Sequence, residues 1–342
     1  MNQRFLKAAR GEPVDATPVW FMRQAGRSLP EYRRVRERWG LLEIVSDPDL
    51  CAEVTLQPVH RLGVDAAVMF SDIVLPLRAL GLEFRLVDGV GPVLDAPVRS
   101  AEAVQVLRLA PVEEAVPEMM AAVRRVVAED LVPVVAFAGG PFTLASYIVE
   151  GGPSRDHHLV KSFMWHEPQA FARLLGLLAD LAVDYLSAQV ASGANAVQIF
   201  DSWVGVLSRE DYRDLVLPHT SRLLAGLRPL GVPRIHFGTG TSALLEDIAS
   251  SAPDVISLDW RIPLDRGWAM VGPEIAIQGN LDPALLLAPS ARVSQGVANV
   301  LALAAGRDGH IFNLGHGVLP QTKVEVLQAV VAQVHQTPRI RG

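Results

Sequence analysis

Eight short apolar runs space the chain, at residues 18–22, 66–70, 132–138, 196–200, 234–237, 255–258, 275–278 and 310–313, each followed by a longer stretch with helical spacing of apolar side chains. Most of these runs are continuously hydrophobic rather than alternating. A strand covered on both faces needs that pattern, and such strands belong to parallel sheets flanked by helices. Eight βα-like units match the closure number of a barrel. The competing arrangement, an open doubly wound sheet, is disfavoured because no G-x-G-x-x-G follows the first run. The reading is therefore an α/β fold: a single-domain (β/α)8 TIM barrel over residues 1–342.

Local signals support the helices between the runs. Asp47-Pro48 gives a cap followed by proline at the first helical position, and Gly193 ends a Leu-rich helix that begins near Pro168. In that helix Leu174, Leu175, Leu178, Leu181 and Tyr185 form one apolar stripe. Residues 82–98 break the βα rhythm: they alternate and contain Asp88-Gly89, the signature of a β-hairpin inserted between strands 2 and 3. The cluster Arg33, Arg34, Arg36 and Arg38, interspersed with Glu31 and Glu37, reads as a solvated helix face.

Composition excludes several classes. A formal charge of −6 offers no global attraction to nucleic acid or to an anionic membrane, so an anionic ligand must be held by a local arginine cluster. The single cysteine, Cys51, cannot form an intramolecular disulfide or a multi-thiolate zinc site, and it suits the cytoplasm. The N-terminus has no apolar signal core, and we read no run as approaching eighteen apolar residues, so no membrane span is expected. His157-His158 are adjacent and diverge on most backbones, and His-Glu-x-x-His, G-x-S-x-G and P-loop motifs are missing. No metal site is expected. The chemistry left is proton transfer and electrostatics.

In a barrel, catalytic groups stand at or just beyond the C-terminal ends of the strands. The first run ends in Arg23, Gln24, Ala25, Gly26 and Arg27, the second in Phe70-Ser71-Asp72, and the third in Phe137-Ala138-Gly139-Gly140, with Tyr147 shortly after. The fourth ends in Phe200-Asp201-Ser202-Trp203, the fifth in His236-Phe237-Gly238 and the last in Gly315-His316-Gly317. Two guanidinium forks four residues apart, at Arg23 and Arg27, suit carboxylates or phosphates. Each also has a bland reading as the partner of a structural acid. Asp72 is either a helix cap or an anion kept ionised beside those arginines. His316 is either an incidental loop histidine or a group at a point of close backbone approach. Tyr147, Phe137 and Phe200 have default readings as core packing.

The segment Pro18-Val19-Trp20-Phe21-Met22-Arg23-Gln24-Ala25-Gly26-Arg27, followed by Leu29-Pro30-Glu31-Tyr32-Arg33, resembles the N-terminal signature of the uroporphyrinogen decarboxylase family. A second block, Phe137-Ala138-Gly139-Gly140-Pro141-Phe142-Thr143-Leu144 through Tyr147 and Glu150-Gly151-Gly152, is similar to that family's second signature. Shorter matches at Phe70-Ser71-Asp72-Ile73, Phe200-Asp201-Ser202-Trp203, His236-Phe237-Gly238 and Asn313-Leu314-Gly315-His316-Gly317 extend the resemblance over nearly the whole chain. One departure is Ser28, where the family more usually has tyrosine.

The resemblance implies an enzyme that converts the four acetate side chains of uroporphyrinogen III to methyls, giving coproporphyrinogen III, without a cofactor. Carried over by position, it places Arg23 and Arg27 on substrate carboxylates, with Gln24, Ala25 and Gly26 in the same substrate-binding segment. Asp72 would face the pyrrole nitrogens, Tyr147, Ser202 and His316 would touch substrate, and Phe137 and Phe200 would line the cleft. Asp72, Arg23, Tyr147 and His316 are the implied catalytic group, and a homodimer is the implied assembly. Two rival readings are a methyltransferase on the same barrel, which needs thiolate-bound zinc, and a non-catalytic carrier of tetrapyrroles.

Overall fold

The computed structural model describes residues 2–26, 28–87 and 89–339. Seven of the eight expected runs are parallel strands of one curled sheet. They are β1 (Ala67–Val68), then, after β2 (Phe84–Val87) and β3 (Gly91–Leu94), β4 (Val134–Gly139), β5 (Ala196–Asp201), β6 (Arg234–Gly238), β7 (Val255–Ser257), β8 (Ala276–Gln278) and β9 (His310–Ile311). Their order is β1-β4-β5-β6-β7-β8-β9, so each strand lies beside its successor in the sheet. The strands β2 and β3 pair antiparallel, with Val87 opposite Gly91; Asp88 lies outside the described residues.

The first run differs from the reading. Residues 18–22 form only an isolated parallel bridge, Val19 to Phe312, rather than a strand. The reason is where their N–H groups go. Pro18 has none, the Val19 N–H donates to Asp65 Oδ2 (2.8 Å), the Phe21 N–H to Gln24 Oε1 (3.0 Å) and the Met22 N–H to Asn313 Oδ1 (3.1 Å). Side chains take the place of a neighbouring strand's carbonyls. The segment still lies between the start of β1 and the end of β9, because Asp65 N donates to Val19 O (2.8 Å) and Phe312 N to Pro18 O (2.8 Å).

Inside the curl the side chains are partly polar. The Trp20 indole donates to Gln278 Oε1 (2.9 Å), and Gln278 Nε2 donates to Gln198 Oε1 (3.1 Å) and Ser257 Oγ (2.9 Å). This network joins β5, β7 and β8 to the first run. A chain of buried amides fixes spacing more sharply than aliphatic contacts do, provided its groups are paired.

Helices cover the outside. Helix Pro48–Leu62 is capped by Asp47, whose side chain accepts the N–H groups of Asp49 and Leu50 (3.0 and 3.1 Å). It braces the β1 run: the Phe70 N–H donates to Thr55 Oγ1 (2.9 Å), and Cys51 Sγ donates to Phe70 O (3.3 Å). Helix Pro168–Ala191 carries the expected stripe, with Leu174, Leu175, Leu178, Leu181 and Tyr185 all buried. Contrary to the sequence reading, this helix is long and apolar enough to cross a membrane by length and composition. It serves instead as a core helix, packed against β4, β5 and helix Leu217–Leu227. The arginine-rich helix Pro30–Arg36 buries Tyr32 and Val35 and turns Arg33 and Arg34 to solvent.

Candidate active site

The C-terminal ends of the strands carry the expected residues into one neighbourhood. Arg23 follows the first run with φ +58°, a left-handed conformation unusual for a residue with a Cβ. Two glycines make room for it. A Cβ on Gly317 would stand 2.5 Å from Arg23 Cδ, and one on Gly26 would stand 2.9 Å from Arg23 O. The Arg23 side chain therefore lies across the backbone at Gly317, next to His316. Arg27, the second arginine of the expected pair, lies outside the described residues.

Asp72 follows β1 and is partly buried. Both readings of it have a basis. It closes a local turn by accepting the Val74 N–H (3.1 Å), and its carboxylate also lies within electrostatic reach of Arg23 and Tyr147. The sequence reading had Asp72 held ionised by arginine. Burial proves the larger effect and pushes its carboxyl above the ordinary range, while the Val74 N–H and Arg23 pull it back. The result is an under-solvated acid facing a cation.

Tyr147, on helix Pro141–Glu150, is buried at 9% exposure. Burial and the nearby Asp72 push its phenol upward, opposed by Trp203 and Arg23. The Tyr147 ring packs on Trp203 at 6.2 Å, and Trp203 packs on His157 at 5.2 Å. His316 is pushed down to about 4, first by burial and then by the positive charges of Arg23 and Arg261. Its Nδ1 accepts the Gly317 N–H (2.7 Å), which leaves the proton of the neutral ring on Nε2. At neutral pH His316 is thus an uncharged N–H donor. Its flanking glycines make close contacts within the protein: a Cβ on Gly315 would meet Trp260 N at 2.4 Å.

An arc of rings leads across the strand ends to His316. Phe137 on β4 packs edge-on against Phe200 on β5 (5.3 Å), Phe200 against Phe237 on β6 (5.8 Å), and Phe237 against His316 (6.0 Å). Phe237 was not singled out, yet the repeat of phenylalanine at the ends of runs 132–138, 196–200 and 234–237 was visible in the sequence. Ser202 sits at the end of β5, partly exposed, with its carbonyl accepting Thr239 Oγ1 (2.5 Å). Ala25 and Gly26 are partly exposed beside Arg23.

The Gln24 side chain turns inward. It is fully buried, its Nε2 donates to Ala66 O (2.9 Å) and its Oε1 accepts the Phe21 N–H, so its amide is used to fasten the first run to β1. Asn313, which sequence reasoning noted only as motif, does the matching work on the other side by accepting the N–H groups of Met22 and Leu314 (3.1 and 2.8 Å). His236 lies on the sheet face opposite Phe237, with 1% exposure. Cys51 sits behind β1, its thiol pushed up to about 12 mainly by burial, which is unsuited to a zinc thiolate.

Comparison with known proteins places this geometry. The sequence profile of the family described as uroporphyrinogen decarboxylase (URO-D) matches residues 1–337. A uroporphyrinogen decarboxylase of Sorangium cellulosum is 51% identical over 341 residues, covering 99% of this chain and 97% of that protein. One from Thermobifida fusca is 51% identical over 336 residues, covering 98% of this chain and 92% of that protein. Among solved structures, a methyltransferase from Methanosarcina mazei superposes with a TM-score of 0.78 at 20% identity, covering 97% of each chain, a likeness of fold. Fold, site and relatives define a carboxy-lyase built on a curled parallel sheet. The chain belongs to the uroporphyrinogen decarboxylase family.

Proposed function

We propose that this chain binds uroporphyrinogen III at the strand ends and decarboxylates its acetate arms with Asp72, Arg23, Tyr147 and His316 as the catalytic group. The observation that carries the reading is Arg23 within electrostatic reach of Asp72, Tyr147 and His316, with the rings of Phe137, Phe200 and Phe237 running in series to His316. Arg23, with Arg27 by position in the motif, takes substrate carboxylates. Ser202, Ala25 and Gly26 add rim contacts, and Phe137 and Phe200 give the macrocycle an apolar wall. From the Gln24 side chain we ask only that it fix the Arg23 segment.

The substrate supplies its own electron sink. Protonation of a pyrrole carbon makes the ring cationic; the bond to the carboxylate breaks, carbon dioxide leaves, and its electron pair neutralises the ring. A second proton on the exocyclic carbon completes the methyl group, and the proton first added to the ring carbon then leaves, restoring the pyrrole. Each arm thus consumes one proton net and releases one carbon dioxide. An Asp72 carboxylate kept short of solvation strengthens as the pyrrole cation forms, a contact worth about 3–4 kcal/mol. Accelerations of this kind need about 8–23 kcal/mol, so oriented binding, with about 7–11 kcal/mol available to it, must carry much of the rest. Neutral His316 offers its Nε2–H as a hydrogen bond to substrate rather than as a transferable proton, which leaves the Tyr147 phenol or a bound water as the donor, since arginine is a poor acid.

Anaerobic incubation with uroporphyrinogen III is expected to release carbon dioxide and yield coproporphyrinogen III. Tight binding without product would favour the carrier reading. The methyltransferase reading has no support from the thiol inventory, since Cys51 is buried behind β1.

The finer architecture follows the same reading. We take residues 18–22 as the eighth stave of a closed barrel, supported by its hydrogen bonds toward both sheet edges, and residues 82–98 as an insertion between the second and third staves. One domain is supported by the single sheet that runs from residue 67 to residue 311. Family resemblance supports a homodimer, which sedimentation checks, and one buried thiol accords with a reducing cytoplasm.

A further inference from the structure

Behind the mouth, β5 and helix Pro141–Glu150 meet at a buried carboxylate outside the catalytic group named above. Asp201, fully buried at the end of β5, accepts the Thr143 N–H (3.2 Å) and the Thr143 hydroxyl (2.7 Å) on Oδ1. The contact is close enough to dictate the neighbouring residue: a Cβ on Gly140 would stand 2.4 Å from Asp201 Cγ. A carboxylate at the first turn of a helix is where its unpaired N–H groups and dipole favour an anion. Here the anion is supplied by a strand.

With its proton committed to Asp201, the Thr143 hydroxyl accepts the Trp203 N–H (3.1 Å). Trp203 then returns to the same helix, packing its ring on Tyr147. Thr143 and Tyr147 are four residues apart on that helix, one turn on the same side. The contacts close a circuit: Asp201 sets the Thr143 hydroxyl, Thr143 sets the Trp203 backbone, and Trp203 sets the Tyr147 ring, with Ser202 held between Asp201 and Trp203. On the far side Asp201 Oδ2 stands 3.8 Å from His236 Nε2.

We propose that Thr143, clamped by Asp201, is a positioning residue for the decarboxylation, fixing Tyr147 and the Ser202–Trp203 segment relative to each other. The proposal rests on the reading that Tyr147 faces substrate. A merely structural threonine would cap its helix and lower stability when lost, with the same kinetic cost whatever stands at position 147. A positioning threonine acts through Tyr147, so its loss matters only while the phenol is present.

The test uses the full-length enzyme with uroporphyrinogen III under anaerobic conditions, comparing Thr143→Val, Thr143→Ser, Tyr147→Phe and the double variant Thr143→Val/Tyr147→Phe, with Tm recorded for each. Thr143→Val is expected to lower kcat about 10- to 100-fold, the scale of a misplacement of about 1 Å, with KM changed less than about threefold. Thr143→Ser, which keeps the hydroxyl, should restore kcat to within about threefold of the parent. In the Tyr147→Phe background the Val substitution should cost less than about threefold. A parental kcat for Thr143→Val, failure of serine to rescue, or an equal loss in both backgrounds overturns the clamp. A silent Tyr147→Phe shows instead that the reading of Tyr147 has failed, and the clamp falls with it. Should Thr143→Val not fold, Thr143→Ala removes the same hydroxyl without a branched side chain, and its outcomes are read the same way.

Discussion

Two aspartates flank the β1 run and illustrate opposite uses of one side chain. Asp65, at the N-terminal end, is 2% exposed and saturated: it accepts from Asn2 Nδ2 (3.1 Å), Arg4 (2.8 Å), the Val19 N–H (2.8 Å) and His335 Nε2 (2.7 Å). Those donors come from both chain ends and the first run, so one carboxylate ties the bottom of the fold together. Asp72, at the other end, takes one backbone N–H and lies within electrostatic reach of Arg23. The same division appears on the last strand. His310 at its start donates its Nε2–H to Gly279 O (3.1 Å) and packs on Trp268, while His316 beyond its end packs on Phe237. Charge that is fully partnered holds a fold, and charge left short of partners is available to a ligand.

The comparison breaks most visibly at Asp65. Removing a buried carboxylate strands the donors around it, so Asp65→Ala is expected to lose about 3 kcal/mol of stability by urea unfolding. Activity per folded molecule should stay within twofold of the parent. Next in size is Asp72→Asn, expected to lower kcat about 10²- to 10³-fold with KM changed little. Its stability effect should have the opposite sign to that of Asp65→Ala. A carboxyl raised by burial favours folding in its protonated form, and that contribution is lost as pH rises through its folded value; ionised Asp72 is then a cost that asparagine removes. A lower Tm for Asp72→Asn at neutral pH would contradict the account of Asp72 as an under-solvated acid.

Acid titration probes the histidines. His310 and His316 are each held down to about 4 from an ordinary value near 6.5, chiefly by burial. Their neutral forms favour the fold, so this contribution is complete above about pH 6.5 and is lost as pH falls toward 4. Unfolding midpoints measured across that window should decline, and His316→Phe should shallow the decline while abolishing the mouth's N–H donor. The smallest effect is expected at Ser28, whose buried hydroxyl has no hydrogen-bond partner among the described residues. Ser28→Ala should shift stability by less than about 0.5 kcal/mol and leave turnover unchanged, separating this departure from the family pattern from the chemistry beside it.

Much of the site was legible because it was written in short motifs. Arg23, Asp72 and His316 each stand at or just past a run's end and Tyr147 on the helix after the third run, and knowing that parallel strands point the same way is enough to gather them. Phe137 and Phe200 were found for the same reason. The inward turn of the Gln24 side chain was not legible, because which way a motif residue points depends on the folded neighbours that take its amide. Asp201 and Thr143 carried no signal of their own: 58 residues separate them, and each has an ordinary role where it stands.

The amino-acid order alone determined the parallel α/β class, seven of the strands, the long Leu-rich helix and the residues that reach the strand ends, because periodicity and capping are local properties of neighbouring residues. Only the tertiary structure decided that the first run would be held by side chains rather than by a strand ladder, that burial would outweigh arginine at Asp72, and that Gly317 exists to let Arg23 pass. Each of those depends on which distant atoms share a volume, and solvation, hydrogen-bond competition and steric exclusion act through space rather than along the chain.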